Sequence, residues 1–214
     1  MRFYTYTMPF NRVILLLISI LVIGCKGSGA EYANEAAPAT FTATFETTKG
    51  DFDIEVKKSL SPKAADRFYN LIKSGYYNNS IFYRVVPNFV AQFGHTDPAK
   101  MEAWKNAKVP DEVVQQGNTR GAITFARAGV QSRGLDLFIN LQDNPSLDTL
   151  DYEGVIGFPS FGHVTNGMDV VDQLFSGYGE RTMEDPAVLS DPDKLIKAYP
   201  RLDIIRRAYI TPGK

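Results

Sequence analysis

Cysteine is nearly absent. Cys25 is the only one in 214 residues, which excludes an intramolecular disulfide framework and a cysteine-rich zinc site. Histidine is almost as scarce. His95 and His163 leave little for a histidine metal centre or a catalytic triad. Neither sign of charge dominates: Lys plus Arg is 23, Asp plus Glu is 24, and the net charge is −1. That balance argues against a nucleic-acid binder relying on a strongly basic surface. Tryptophan occurs once, yet aromatics reach 12% and hydrophobic residues 44%, enough for the core of a globular chain. The length suits one domain with appendages, and no internal repeat stands out.

One long apolar run is present, and it is N-terminal. Arg2 and Arg12 precede residues 13–18 (VILLLI) and 20–23 (ILVI). A basic start, a short apolar stretch and a small residue make a secretory signal, too short for a comfortable transmembrane helix. Val22-Ile23-Gly24-Cys25 resembles a bacterial lipobox, which implies cleavage after residue 24 and lipidation of Cys25. The alternative is an uncleaved anchor with a buried free thiol. Residues 26–40, small, polar and Pro-containing, read as a flexible tether. The division is therefore a signal at 1–24, a lipidated Cys25 with its tether to 40, and a folded domain at 41–214. This places the chain in a bacterial cell envelope, held to a membrane by lipid and facing the periplasm or exterior.

The body alternates short strands with a few helices. Residues 41–47 and 52–56 have period two around the turn Lys49-Gly50-Asp51 and predict a hairpin. Ser61-Pro62 opens a helix as N-cap and first-turn residue, with Ala64, Ala65, Phe68, Leu71 and Ile72 as its apolar stripe and Gly75 as its stop. Strands are expected at 81–86 and 89–93, joined at Pro87-Asn88. Further strands are expected at 121–125, 137–140, 160–164 and 202–210. Residues 95–120 read as irregular, with Trp104 a loop anchor, and short helices are expected at 168–175 and 192–198. Many short strands with few helices suggest a closed antiparallel barrel with helical plugs.

Residues 82–94 (FYRVVPNFVAQFG) look like the signature strand pair of the cyclophilins, the cyclosporin-type peptidyl-prolyl cis-trans isomerases. Residues 121–129 (GAITFARAG) with 137–140 (LFIN), and 160–171 (SFGHVTNGMDVV), are similar to two further family segments. Residues 48–54 and 62–65 also fit. Several motifs in the correct order are specific where one short pattern is not. The resemblance covers roughly 41–176 and the last strand. It implies a mainly β fold, an eight-stranded antiparallel barrel capped by two helices, and prolyl isomerisation without a cofactor or metal.

The chemistry asks for few groups. Rotation about X–Pro meets a barrier of about 18–20 kcal/mol because amide resonance is lost, while the two end states differ by only about 0.5–1 kcal/mol. A catalyst needs a pocket for the ring and a donor that favours the twisted amide. The resemblance assigns the donor to Arg84, whose guanidinium is always charged and carries a fixed fork of N–H groups. It assigns the ring pocket to Phe89, Val90, Phe138 and Leu147. Gln92 would hold the arginine and substrate backbone, and Ala126 and Arg127 would face the bound peptide. Arg127 reads equally well as a solvated loop charge.

There are departures from the family pattern. Asp136 stands where most members have Gln, and an ionised Asp cannot donate. The aromatic wall position falls on Ser146. The pocket-lining histidine or tyrosine falls on Phe158. His163 reads as structural. The segment near 180–200 is an addition, read as a surface embellishment. The implied partners are proline-containing segments of unfolded or folded envelope proteins and, through the lipid, a membrane; nothing demands more than a monomer. The expected function is isomerisation of X–Pro bonds in exported proteins, assisting their folding. The alternative is a weakly catalytic or non-catalytic proline-peptide-binding chaperone or scaffold.

Overall fold

The computed structural model describes residues 35–211 together with Met1 and Arg2. The apolar run, Cys25 and the first part of the tether lie outside the described residues. From Glu35 onward the tether is docked, contrary to a free linker up to residue 40. Lys73 donates to Glu35 at 2.7 Å and the Ala37 amide donates to Asp66 at 2.7 Å.

Strands β1 (Thr40–Thr47) and β2 (Asp51–Lys57) form the expected hairpin. Their alternation places Phe45 and Phe52 directly opposite, with ring centroids 5.1 Å apart inside the core. Helix α1 (Pro62–Lys73) lays Ala64, Ala65, Phe68, Leu71 and Ile72 on that core. Its N-terminus departs from expectation. Ser61 makes no side-chain cap of its own. Its hydroxyl donates instead to Glu112, whose carboxylate accepts from the Lys63 and Ala64 amides at 2.8 and 3.1 Å. A carboxylate does this well, since it satisfies orphan N–H groups and opposes the helix dipole.

The remaining strands are β3 (Ser80–Ile81), β4 (Arg84–Val86), β5 (Val90–Phe93), β6 (Ala122–Phe125), β7 (Leu137–Asn140), β8 (Asp151–Tyr152), β9 (Val155–Ile156), β10 (Ser160–Asn166) and β11 (Ile204–Thr211). Nine form one curled antiparallel sheet in the order β3-β11-β1-β2-β10-β6-β7-β5-β4, and β8-β9 is a separate hairpin. The ninth strand comes from a break in the expected strand 81–86. Its halves pair with different neighbours, β3 with β11 and β4 with β5. Phe82 and Tyr83 carry the chain across the seam between the two sheet edges. A single bridge from Ile81 to His95, beyond β5, spans that seam, and the nine strands curl into a half-barrel.

Five shorter helices complete the described residues: α2 (Pro98–Trp104), α3 (Ser146–Thr149), α4 (Met168–Asp172), α5 (Pro186–Leu189) and α6 (Pro192–Ala198). Helix α2 replaces the irregular loop expected there. Asp97 caps it, accepting from the Ala99 and Lys100 amides, and Pro98 occupies its first turn. Trp104 is buried against the main core, but as the last residue of α2 rather than as the loop anchor expected.

Candidate active site

Strands β4 and β5 set the centre of the site. The turn between them has Pro87 at its second position and Asn88 at φ +57 in its third, with the Phe89 amide donating to the Val86 carbonyl at 3.1 Å. Pro followed by a residue tolerant of positive φ is type II turn chemistry. The turn fixes the register, and the register places Arg84 directly across from Gln92. Both side chains therefore emerge on the same face. Arg84 Nη1 donates to Gln92 Oε1 at 3.2 Å, and the guanidinium carbon lies 5.5 Å from the Phe89 ring centroid.

Beside this pair opens a cavity of 320 Å³. Arg84, Phe89, Val90, Gln92, Ala126, Arg127, Phe138, Leu147 and Phe158 all line it, so nine of the residues singled out by sequence meet at one place. Val90, Phe138, Leu147 and Phe158 form a buried apolar cluster separate from the main core. Phe138 and Phe158 meet edge to face at 5.7 Å. The lining is mostly apolar, with Arg84, Gln92 and Arg127 as its polar groups, the composition expected of a small-ligand pocket.

Three buried asparagines brace the pocket from behind its lining. Asn140 donates to Asn118 at 3.1 Å, Asn144 donates to Asn140 at 2.8 Å, and Asn118 donates to Asp148 at 2.7 Å. The network ends on the pocket backbone. Asn144 donates to the Phe89 carbonyl at 3.0 Å and Asn118 to the Phe158 carbonyl at 2.9 Å. A satisfied buried network of this kind fixes geometry, and here it fixes two pocket walls at once.

Arg127 is buried, and the reading of it as a solvated loop charge does not hold. It donates to the Val155 carbonyl at 3.1 Å and to the Gly157 carbonyl, and lies over the Phe158 and Tyr152 rings at 5.0 and 5.4 Å. Burial holds its pKa below the ordinary arginine value, with Asp111 pulling the other way. It anchors the β8-β9 hairpin behind the pocket. That hairpin contributes Tyr152, which meets Phe158 edge to face at 5.8 Å and lines the cavity. Ser146 is exposed at the start of α3 and is absent from the lining. Tyr152 contributes an aromatic to the lining that Ser146 does not, and it is a residue that sequence reasoning passed over along with Leu150 and Met183.

Asp136 lies apart from the ring pocket. It lines a larger neighbouring cavity of 650 Å³ with Tyr83 and His95. His95 Nε2 is 3.6 Å from its carboxylate, and the His95 ring meets Tyr83 edge to face at 4.5 Å. Burial pushes the Asp136 carboxyl up, while His95 and the Tyr83 hydroxyl draw it part of the way back. The close approach of β5 to this residue requires Gly94: it takes φ +147, and a Cβ there would come 2.7 Å from the Asp136 Cα. His163 is structural, its ring nitrogens resting on the Arg120 and Val164 carbonyls at 2.7 and 2.8 Å.

The segment near 180–200 is no mere embellishment. Gly179 bridges to Val85 on β4, and Glu180 reaches the second arm of Arg84, with Nη2 donating at 2.5 Å. Met183 lines both cavities.

Comparison with known proteins agrees with this geometry. The chain is 34% identical over 140 residues to a peptidyl-prolyl cis-trans isomerase of Acinetobacter baylyi, covering 64% of this chain and 73% of that protein. It is 33% identical over 138 residues to peptidyl-prolyl cis-trans isomerase B of Escherichia coli, covering 61% and 82%. The crystal structure of a Cryptosporidium parvum cyclophilin-type isomerase shares the fold, with a TM-score of 0.60 at 21% identity, over 82% of this chain and 99% of that one. The model of the cyclophilin-type peptidyl-prolyl cis-trans isomerases matches residues 42–196, and the chain belongs to that family.

Proposed function

We propose that this isomerase turns X–Pro bonds in exported proteins from a lipid anchor at Cys25, and that Arg84 supplies the contact that speeds the turn. The observation that carries the mechanism is Arg84, held by Gln92 above Phe89 at the mouth of an apolar cavity. A proline ring seated among Phe89, Phe138, Leu147 and Phe158 leaves its amide beside the guanidinium. As the amide twists, resonance is lost and a lone pair localises on the prolyl nitrogen. A guanidinium N–H donates to that lone pair and has little to bind there in the planar amide. The contact therefore strengthens in the transition state and lowers the barrier. Gln92 accepts from Arg84 and keeps the fork aimed at the cavity.

Envelope attachment is supported by Val22-Ile23-Gly24-Cys25 after a basic start and a short apolar run. One acyl chain binds a membrane only marginally, so a durable anchor needs more than one, as a lipobox cysteine receives. Cys25→Ser should release the protein from membranes or leave it unprocessed. A mutant that fractionates with membranes at the mature mass would contradict the anchor. A protease-coupled assay on a proline peptide tests the activity. A mere binder would compete for peptide without raising the rate.

A further inference from the structure

We propose that Glu180 competes with the substrate amide for Arg84, so that a carboxylate outside the sheet restrains the rate of isomerisation. The inference rests on the role given to Arg84 above. The Arg84 fork is divided. Its inner arm donates to the neutral amide of Gln92, and its outer arm donates to the ionic carboxylate of Glu180. The first contact aims the guanidinium. The second takes one of its donors and offsets its positive charge, the two properties a localised prolyl lone pair would use.

The backbone around Glu180 is built to stay in place. The Val85–Gly179 bridge ties the segment to β4 one residue before Glu180. A 3-10 turn, Arg181–Met183, follows at once. The Tyr199 hydroxyl donates to the Arg181 carbonyl at 2.9 Å, and Tyr178 packs on Tyr199 with ring centroids 5.0 Å apart. Behind these lies a small apolar core that includes the fully buried Leu195 of α6. The segment therefore delivers Glu180 to Arg84 from a packed platform, and places Met183 against the substrate cavity three residues later.

The ion pair itself has little to do with holding the fold. The Glu180 side chain is 67% exposed and that of Arg84 18%. Exposed pairs contribute little to stability and are screened by salt. Its consequence falls instead on the guanidinium, whose outer donors a substrate reaches only by sharing or displacing the carboxylate.

The test measures kcat and KM of the full chain on an uncharged proline peptide. The proteins are the parent, Glu180→Gln, Arg84→Ala and the double variant. Glu180→Gln keeps an acceptor but loses the charge. It should melt near the parent and turn over about two- to fivefold faster, the size an exposed pair allows. Raising salt from 0.1 to 1 M shortens the screening length from about 10 Å to about 3 Å, so the parent rate should climb toward that of Glu180→Gln while the variant stays flat. In the Arg84→Ala background, Glu180→Gln should add nothing. A Glu180→Gln rate at or below the parental one, with Arg84→Ala slow, would overturn the inference and leave the role of Arg84 standing. Arg84→Ala at the parental rate would overturn the role of Arg84 first, and this inference with it.

Discussion

Phe138→Ala separates the pocket from the scaffold that holds it. Phe138 is 5% exposed and packs with Val90, Leu147 and Phe158 in a cluster apart from the main core. Truncating a buried Phe costs about 3–5 kcal/mol. One side of this ring faces the cavity and has fewer partners to lose, so the low end applies, about 3 kcal/mol. For a chain of this size that is a fall in Tm of about 6–12 °C. The proline ring would also lose a wall. Losing part of one apolar contact, about 1–1.4 kcal/mol, raises KM roughly five- to tenfold. The effect on kcat should be smaller, because the wall touches planar and twisted amides alike and acts as uniform binding. Thermal melts and protease-coupled kinetics on one proline peptide measure both. A folded Phe138→Ala with parental KM would mean the proline ring sits elsewhere.

Two further predictions concern charge. The Asp136 carboxyl has a folded pKa above its ordinary value, so its contribution is favourable below the ordinary carboxylate range and is lost as pH rises through the raised value. Asp136→Asn should therefore melt above the parent at pH 7, with the gain vanishing below about pH 4; a pH-independent difference would refute this. Glu112→Ala removes the α1 cap and the nearer of two carboxylates beside the buried Arg133, at 3.0 Å, leaving it Asp111 at 4.0 Å and the Pro110 carbonyl. A lost helix cap costs about 0.5–2 kcal/mol and a lost charge-assisted hydrogen bond about 1.5–3 kcal/mol, so urea unfolding showing a loss under about 1 kcal/mol would count against it.

What the sequence disclosed was mostly what neighbours in the chain decide. Period-two alternation gave β1 and β2, and the 3.6-residue stripe with Gly75 gave α1, because each element buries one face through its own residues. The family motifs brought nine site residues to a single cavity. Distant partners decided the rest. Ser61 looks like a cap, yet Glu112, 51 residues further on, does the capping. Arg84 meets Glu180 across 96 residues. The break at Phe82-Tyr83 follows from which edge strand each half pairs with, and nothing local in FYRVV marks it. Asn118, Asn140 and Asn144 are unremarkable alone and matter only as a network. Helix α2 was legible in principle, through the Asp97 cap and Pro98, but no apolar stripe of any length announced it.

The central claim is that Arg84 lowers the barrier by favouring the twisted amide. The measurement that tests it most directly is kcat of Arg84→Ala on a proline peptide, beside its Tm and KM. A lost donor of this kind costs about 2.7–4 kcal/mol by analogy with oxyanion holes, a fall of roughly 100- to 1,000-fold. Because the contact forms chiefly in the transition state, KM and Tm should stay near the parent. Arg84→Lys should recover little, since an ammonium lacks the planar fork. A folded Arg84→Ala with parental kcat would contradict the account and remove the arginine from the mechanism.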